Sequence, residues 1–148
     1  MPSRAYDRPV LVEESIEIGR PPEHVWAFVA DPTNDPRWCP KVKSVVAVGE
    51  ARWKVVHKPV PLRPSVSLQV EHVVREPPTR LVLREEDDVS IFEVEYRLAA
   101  APPGTRFAQV STFQWKRLPR FLQNTFARGV RRDIRAQLRQ LKRLLEAG

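Results

Sequence analysis

One cysteine, one methionine and five glycines in 148 residues put several architectures out of reach. A lone Cys39 cannot close an internal disulfide or supply the cysteine cluster of a structural zinc site. The fold must therefore rest on an apolar core, and a reducing compartment is expected, with Cys39 read as a buried thiol. No phosphate loop, dinucleotide fingerprint, HExxH motif or Ser-His-Asp order is present. No metal site and no cofactor are expected, and no catalytic residue is assigned. Nowhere does the chain approach the roughly 18 consecutive apolar residues of a membrane span. Its first residues, MPSRAYDRPV, lack the apolar stretch and small-residue cleavage site of a secretory signal. The expectation is a cytoplasmic protein with no integral membrane association.

What the chain does have is a hydrophobic fraction of 42%, a charged fraction of 29% and fifteen prolines, within the size of one domain. A single domain over residues 1–148 is expected. The formal net charge of +7 lies largely in RGVRRDIRAQLRQLKR near the end, where Arg128, Arg131, Arg132, Arg135, Arg139, Lys142 and Arg143 decorate an amphipathic pattern. A solvated helix face accounts for those charges. Without zinc-finger spacing, a helix-turn-helix pattern or an aromatic-plus-basic RNA motif, nucleic acid is not expected as a partner. No oligomeric state is assigned.

Residues 10–18, VLVEESIEI, alternate with Val10, Val12, Ile16 and Ile18 on one face, interrupted by Glu14. That predicts a half-buried strand. Pro21 and Pro22 suit a helix start, Val25, Phe28 and Val29 share a helical face, and the helix should end near Asp31. A second short helix is expected over Asp35 to Trp38, with Asp35 as N-cap and Pro36 at the first position. Prolines fix the turns between two helices too short to be stable alone, making a rigid lid in which Trp26 and Trp38 are read as core. Six more strands follow: Val42–Val48, Arg52–Lys58, Ser65–Val74, Arg80–Glu86, Ser90–Ala99 and Arg106–Trp115. The turns between them are Gly49-Glu50, KPVPLRPS, Pro77-Pro78, Asp87-Asp88 and Pro102-Pro103-Gly104. Connections this short predict an antiparallel meander. After Pro119 a long helix carries a stripe of Leu122, Phe126, Val130, Ile134, Leu138, Leu141 and Leu145. The predicted class is α+β: a curved antiparallel seven-stranded sheet around a long C-terminal helix, with space between them and two short helices closing an end.

This order resembles the START-like (SRPBCC) superfamily with its helix-grip fold. The resemblance is carried by PPEHVWAFVADPTNDPRWCP, FEVEYRL with PPGTRFAQV, and RDIRAQLRQLKRLLE, and it covers nearly the whole chain. The sequence is most similar to bacterial polyketide cyclase/dehydrase-like and coenzyme Q-binding-like members. Their Pro-x-x-Val-Trp, Asp-Pro and Trp-x-Pro pattern is met by Pro22, Val25, Trp26, Asp31, Pro32, Trp38 and Pro40. The hairpin VAVGEARWKV departs from the pattern by lacking a longer glycine-rich connection. The resemblance implies a cavity for a small hydrophobic molecule such as a polyketide, aromatic compound, quinone or lipid.

Strand parity names the groups expected to face that cavity. They are Trp53, Val55 and His57; Val66, Leu68, Val70, His72 and Val74; Phe92, Val94, Tyr96 and Leu98; and Phe107, Gln109, Ser111 and Phe113. Glu85 shares the parity of Leu83. A turn centred near Pro61 would pair His57 with Val66 and His72 with Ala51, placing the histidines at opposite ends of a hairpin rather than in a metal pair. Phe126 and Val130 should face the sheet from the helix, with Gly129 allowing close approach or leaving cavity volume. Trp53, His57, His72, Phe92, Tyr96, Phe107, Gln109, Ser111, Phe126 and Val130 are thus the candidate ligand-binding residues. Two functions are expected from such a pocket. One is binding of an apolar ligand. The other is a cyclase/dehydrase-type reaction, with His57 or Glu14 as general base and Tyr96 stabilising an enolate.

Overall fold

The computed structural model describes residues 9–58, 64–86, 90–116 and 119–148. In chain order the elements are β1 (Val10–Ile18), α1 (Pro22–Val29), a 3-10 turn (Pro32–Asn34), α2 (Asp35–Trp38), β2 (Val42–Gly49), β3 (Arg52–His57), β4 (Val66–Glu76), β5 (Arg80–Glu86), β6 (Ser90–Ala101), β7 (Gly104–Trp115) and α3 (Arg120–Ala147). All seven strands form one curved antiparallel sheet in the order β1-β7-β6-β5-β4-β3-β2. The chain is an α+β helix-grip fold. The expected turns within 59–63 and at Asp87-Asp88 lie outside the described residues.

Local chemistry explains the lid. Pro21 is the extended residue before α1 and Pro22 its first position, where a missing N–H costs nothing. Asp31 then caps the 3-10 turn through its Oδ1, which accepts from the Thr33 backbone N–H at 3.0 Å. This turn runs directly into α2, so Asn34 precedes the helix and Asp35 is its first residue. Asp35 is therefore not the N-cap that the Asp-Pro pair predicts. Val25, Trp26, Val29 and Trp38 are buried, as expected of core residues beneath the lid.

The hairpin register is the one expected from a turn near Pro61: His57 pairs with Val66, and the His72 N–H donates to the Ala51 carbonyl at 3.0 Å. A bulge then interrupts β4 between His72 and Val74. Beyond it Val74 pairs with Val82, whose parity is opposite to the buried inner residues Leu81 and Leu83, so Val74 leaves the inner face. Arg75 takes the inner parity and stands 5.9 Å from the Trp26 ring centroid. Gly104 allows a close backbone crossing: a Cβ there would lie 2.0 Å from the Ile18 carbonyl oxygen.

α3 lies along β1 and against α2, burying Ile134, Leu138, Leu141 and Leu145. Its C-terminal end is fastened by Glu146, which accepts from the Gly19 N–H at 2.7 Å, and by the Arg20 side chain on the Leu145 carbonyl at 2.8 Å. Asp133 pairs with Lys41 just after α2. Leu122 and Phe126 depart from the expected buried stripe and stay exposed, while Gln123 is the buried side chain of the first turns of α3. Among the described residues no helix is long and apolar enough to cross a membrane.

Candidate functional site

Register sorts the inward side chains into rows across the sheet. Trp53, Val70, Glu85, Phe92, Phe113 and Val10 form one row. The next holds His72, Leu83, Val94, Ser111 and Val12, and a third holds Leu81, Tyr96, Gln109 and Glu14. Each row mixes buried and half-buried groups: Val70 and Phe113 of the first are buried, and Glu14 of the third is half-buried. Tyr96, Phe107, Leu81 and Leu83 are buried, whereas Trp53, Glu85 and Phe92 are half-buried although they point the same way. The inner face is thus less covered at Trp53, Glu85 and Phe92, the end where α3 leaves Phe126 exposed and Val130 half-buried.

Aromatic contacts on the inner face fall into two groups. Trp38 reaches from α2 onto Tyr96, with centroids 5.9 Å apart, and meets Phe107 edge-on at 6.4 Å. Nearer the less covered end, Phe92 packs edge-on against Phe113 at 4.9 Å, Phe113 stacks on Trp115 at 6.1 Å, and Trp115 meets Phe126 edge-on at 5.6 Å. On the hairpin Trp53 lies against His72 at 4.2 Å.

Asp35, Cys39, Tyr96 and His72 are held uncharged in this interior. Desolvation, reinforced by the charge of Glu85 and then Asp31, pushes the Asp35 carboxyl up to about 8; the nearby Trp38 indole opposes the shift. That indole's Nε1 nevertheless closes no well-formed hydrogen bond among the described residues. Burial, then the neighbouring carboxylates, raise the Cys39 thiol, and burial likewise raises the Tyr96 hydroxyl. Burial lowers His72 to about 4, with Arg75 adding to the shift. Near pH 7 the interior thus offers a carboxylic acid, a phenol, a thiol and a neutral imidazole. His72 Nδ1 and Gln109 Oε1 are buried with no hydrogen-bond partner among the described residues. Gln109 Nε2 donates to Ser111 Oγ at 3.3 Å.

The expected general bases do not converge. His57 is half-buried on β3 and Glu14 lies on β1, with β7, β6, β5 and β4 between those strands. Glu14 Oε1 also accepts from Arg135 Nε at 3.0 Å and Arg131 Nη1 at 3.4 Å, so this carboxylate is engaged by α3. Those two arginines, with Lys142 on the Glu17 carbonyl at 2.7 Å, are therefore fasteners of α3 to β1 and not merely a solvated face. Asp35 is the group that sequence reasoning missed. Its Asp-Pro pair reads as a helix cap, and only the fold brings Glu85 near it. Gly129 does not serve close packing, since a Cβ there would meet no atom within 4 Å. Among the described residues no group of three or more His, Cys, Asp or Glu side chains could hold a metal ion.

A family model described as polyketide cyclase/dehydrase and lipid transport matches residues 9–146. The chain belongs to that family. Among solved structures it is similar to TTHA0849 from Thermus thermophilus, with a TM-score of 0.76 and 22% identity over 93% of this chain and 98% of the other. DR_A0006 from Deinococcus radiodurans gives 0.68 and 23% identity over 94% and 98%. The Zhui aromatase/cyclase from a Streptomyces species gives 0.74 and 14% identity over 93% and 94%. At these identities the likeness is one of fold. No curated protein matches the sequence.

Proposed function

We propose that the protein binds a small, predominantly apolar molecule, such as an aromatic, polyketide, quinone or lipid, in the hollow between the curved sheet and α3. The observation that carries this reading is the less covered end of the inner face, where Trp53 and Phe92 point inward yet remain half-buried. Aromatic rings left unfilled on a concave face offer dispersion and area burial to a ligand. The uncharged groups behind them orient it by hydrogen bonds without the cost of desolvating an ion. Membership of a cyclase/dehydrase and lipid-transport family supports the same ligand class. Native mass spectrometry of protein purified from its own host tests it. A retained apolar mass, released by organic solvent, is expected; a retained nucleotide or other polyanion would contradict it.

Asp35 favours a second reading, cyclase/dehydrase-type chemistry. A carboxyl that keeps its proton near neutral pH, close to Glu85 and Tyr96, makes an acid–base pair. Asp35 would give its proton to a ligand carbonyl oxygen as Glu85 takes a proton from the adjacent carbon, leaving a neutral enol. In this reading Tyr96 hydrogen-bonds the enol oxygen instead of the enolate expected of it, and Glu85 replaces His57 or Glu14 as base. The Zhui aromatase/cyclase, similar in fold, supports this reading.

A further inference from the structure

The first two turns of α3 present Phe121, Leu122 and Phe126 with 78%, 43% and 46% of their surface exposed. Such a cluster on a water-facing helix end marks an interaction surface. Spacings of seven and eleven residues put Arg128 and Arg132 on the same helical face as Phe121. Arg131 and Arg135 turn away to Glu14, but Arg128 and Arg132 make no ion pair among the described residues. Beside this face a groove of about 260 Å³ runs between the edge of β1 and α3, lined by Leu11, Asn124, Ala127, Arg128 and Arg131. Leu11 is itself exposed there.

We propose that this end of α3 docks onto anionic lipid membranes, with Phe121, Leu122 and Phe126 entering the interface and Arg128 and Arg132 meeting headgroup phosphates. Charge complementarity with a chain of net charge +7 selects a negative surface. The apolar members select lipid over nucleic acid: Leu11 and Leu122 gain by partitioning among acyl chains, whereas aliphatic side chains give bases nothing to stack on. Position gives the docking a use. Phe126 touches Trp115, Trp115 stacks on Phe113 and Phe113 meets Phe92, so an unbroken aromatic path leads from the patch to the open row of the hollow. Docking would set that opening against the bilayer.

Sedimentation of the full chain with vesicles of phosphatidylcholine, alone or mixed with phosphatidylglycerol, tests this. Binding to the mixed vesicles, weakened by salt and absent from the neutral ones, is expected. Phe121→Ser should weaken it at least about tenfold, and Arg128→Gln with Arg132→Gln about 30-fold. These exposed positions leave the melting temperature unchanged. Uptake of an apolar probe in vesicle-free solution should also survive, so the docking claim and the cavity claim fail separately. Equal binding to both vesicle types, or no binding, would overturn the proposal. So would a self-associated species dissolved by Phe121→Ser, or oligonucleotide binding tighter than vesicle binding and lost in the arginine variant.

Discussion

Trp53 covers a histidine that is not its register partner: Trp53 pairs with Val70, yet its ring lies 4.2 Å from the ring of His72, the diagonal neighbour on β4. The indole helps keep water from an imidazole already lowered to about 4 by burial. Removing that cover should let His72 recover toward its ordinary value near 6.5. Histidine titration by NMR checks this, with an apparent pKa near 4 expected in the native protein and one nearer 6.5 in Trp53→Ala. An unchanged His72 in the variant would assign its shift to the rest of its burial.

Asp35 and His72 give stability opposite pH dependences. Asp35 is raised in the folded state, so its contribution is complete below about 4 and falls as pH rises toward about 8. His72 is lowered, so its contribution is complete above about 6.5 and falls as pH drops toward about 4. The two slopes oppose each other between about pH 4 and 6.5, leaving Asp35 alone between about 6.5 and 8. Denaturation in that upper window should show stability falling by at most about 1.4 kcal/mol per pH unit. Asp35→Asn should abolish the slope.

If the acid–base reading holds, turnover should fall as pH rises through about 8, where Asp35 loses its proton, and Asp35→Asn should lower turnover across the whole pH range. A pH–rate profile on an enolisable aromatic ketone measures this. Turnover that rises through pH 8 would rule out Asp35 as the acid.

Two glycines should respond in opposite directions to alanine. At Gly104 the added Cβ would sit 2.0 Å from a backbone oxygen of β1, and neither backbone can yield without disturbing the β1–β7 ladder. Gly104→Ala should cost more than about 3 kcal/mol. At Gly129 nothing lies within 4 Å, so Gly129→Ala should stabilise α3 by about 1 kcal/mol. Thermal unfolding of both variants decides the pair.

The strands and long helix were legible because period-two alternation, turn residues and the stripe through Ile134, Leu138, Leu141 and Leu145 all point to one architecture. Even the pairing of His57 with Val66 follows from a single turn position. Departures arise where backbone detail intervenes. The bulge after His72 reverses the parity of Val74, and the 3-10 turn displaces the cap of α2 by one residue. The Asp35 environment is a tertiary product of α2 and β5, elements far apart in sequence, and no local pattern encodes it. Likewise, Glu14 could be read as an inward carboxylate, but its engagement by Arg131 and Arg135 required the placement of α3.

An uncharged apolar molecule should be taken up between the sheet and α3 against Trp53. Calorimetric titration with a neutral aromatic probe, at low and physiological salt, measures this uptake. Saturable binding that barely responds to salt is expected, surviving Arg128→Gln with Arg132→Gln and weakening about tenfold in Trp53→Ala. Absence of saturable binding would contradict it. So would salt-dependent binding lost in the arginine variant but intact in Trp53→Ala.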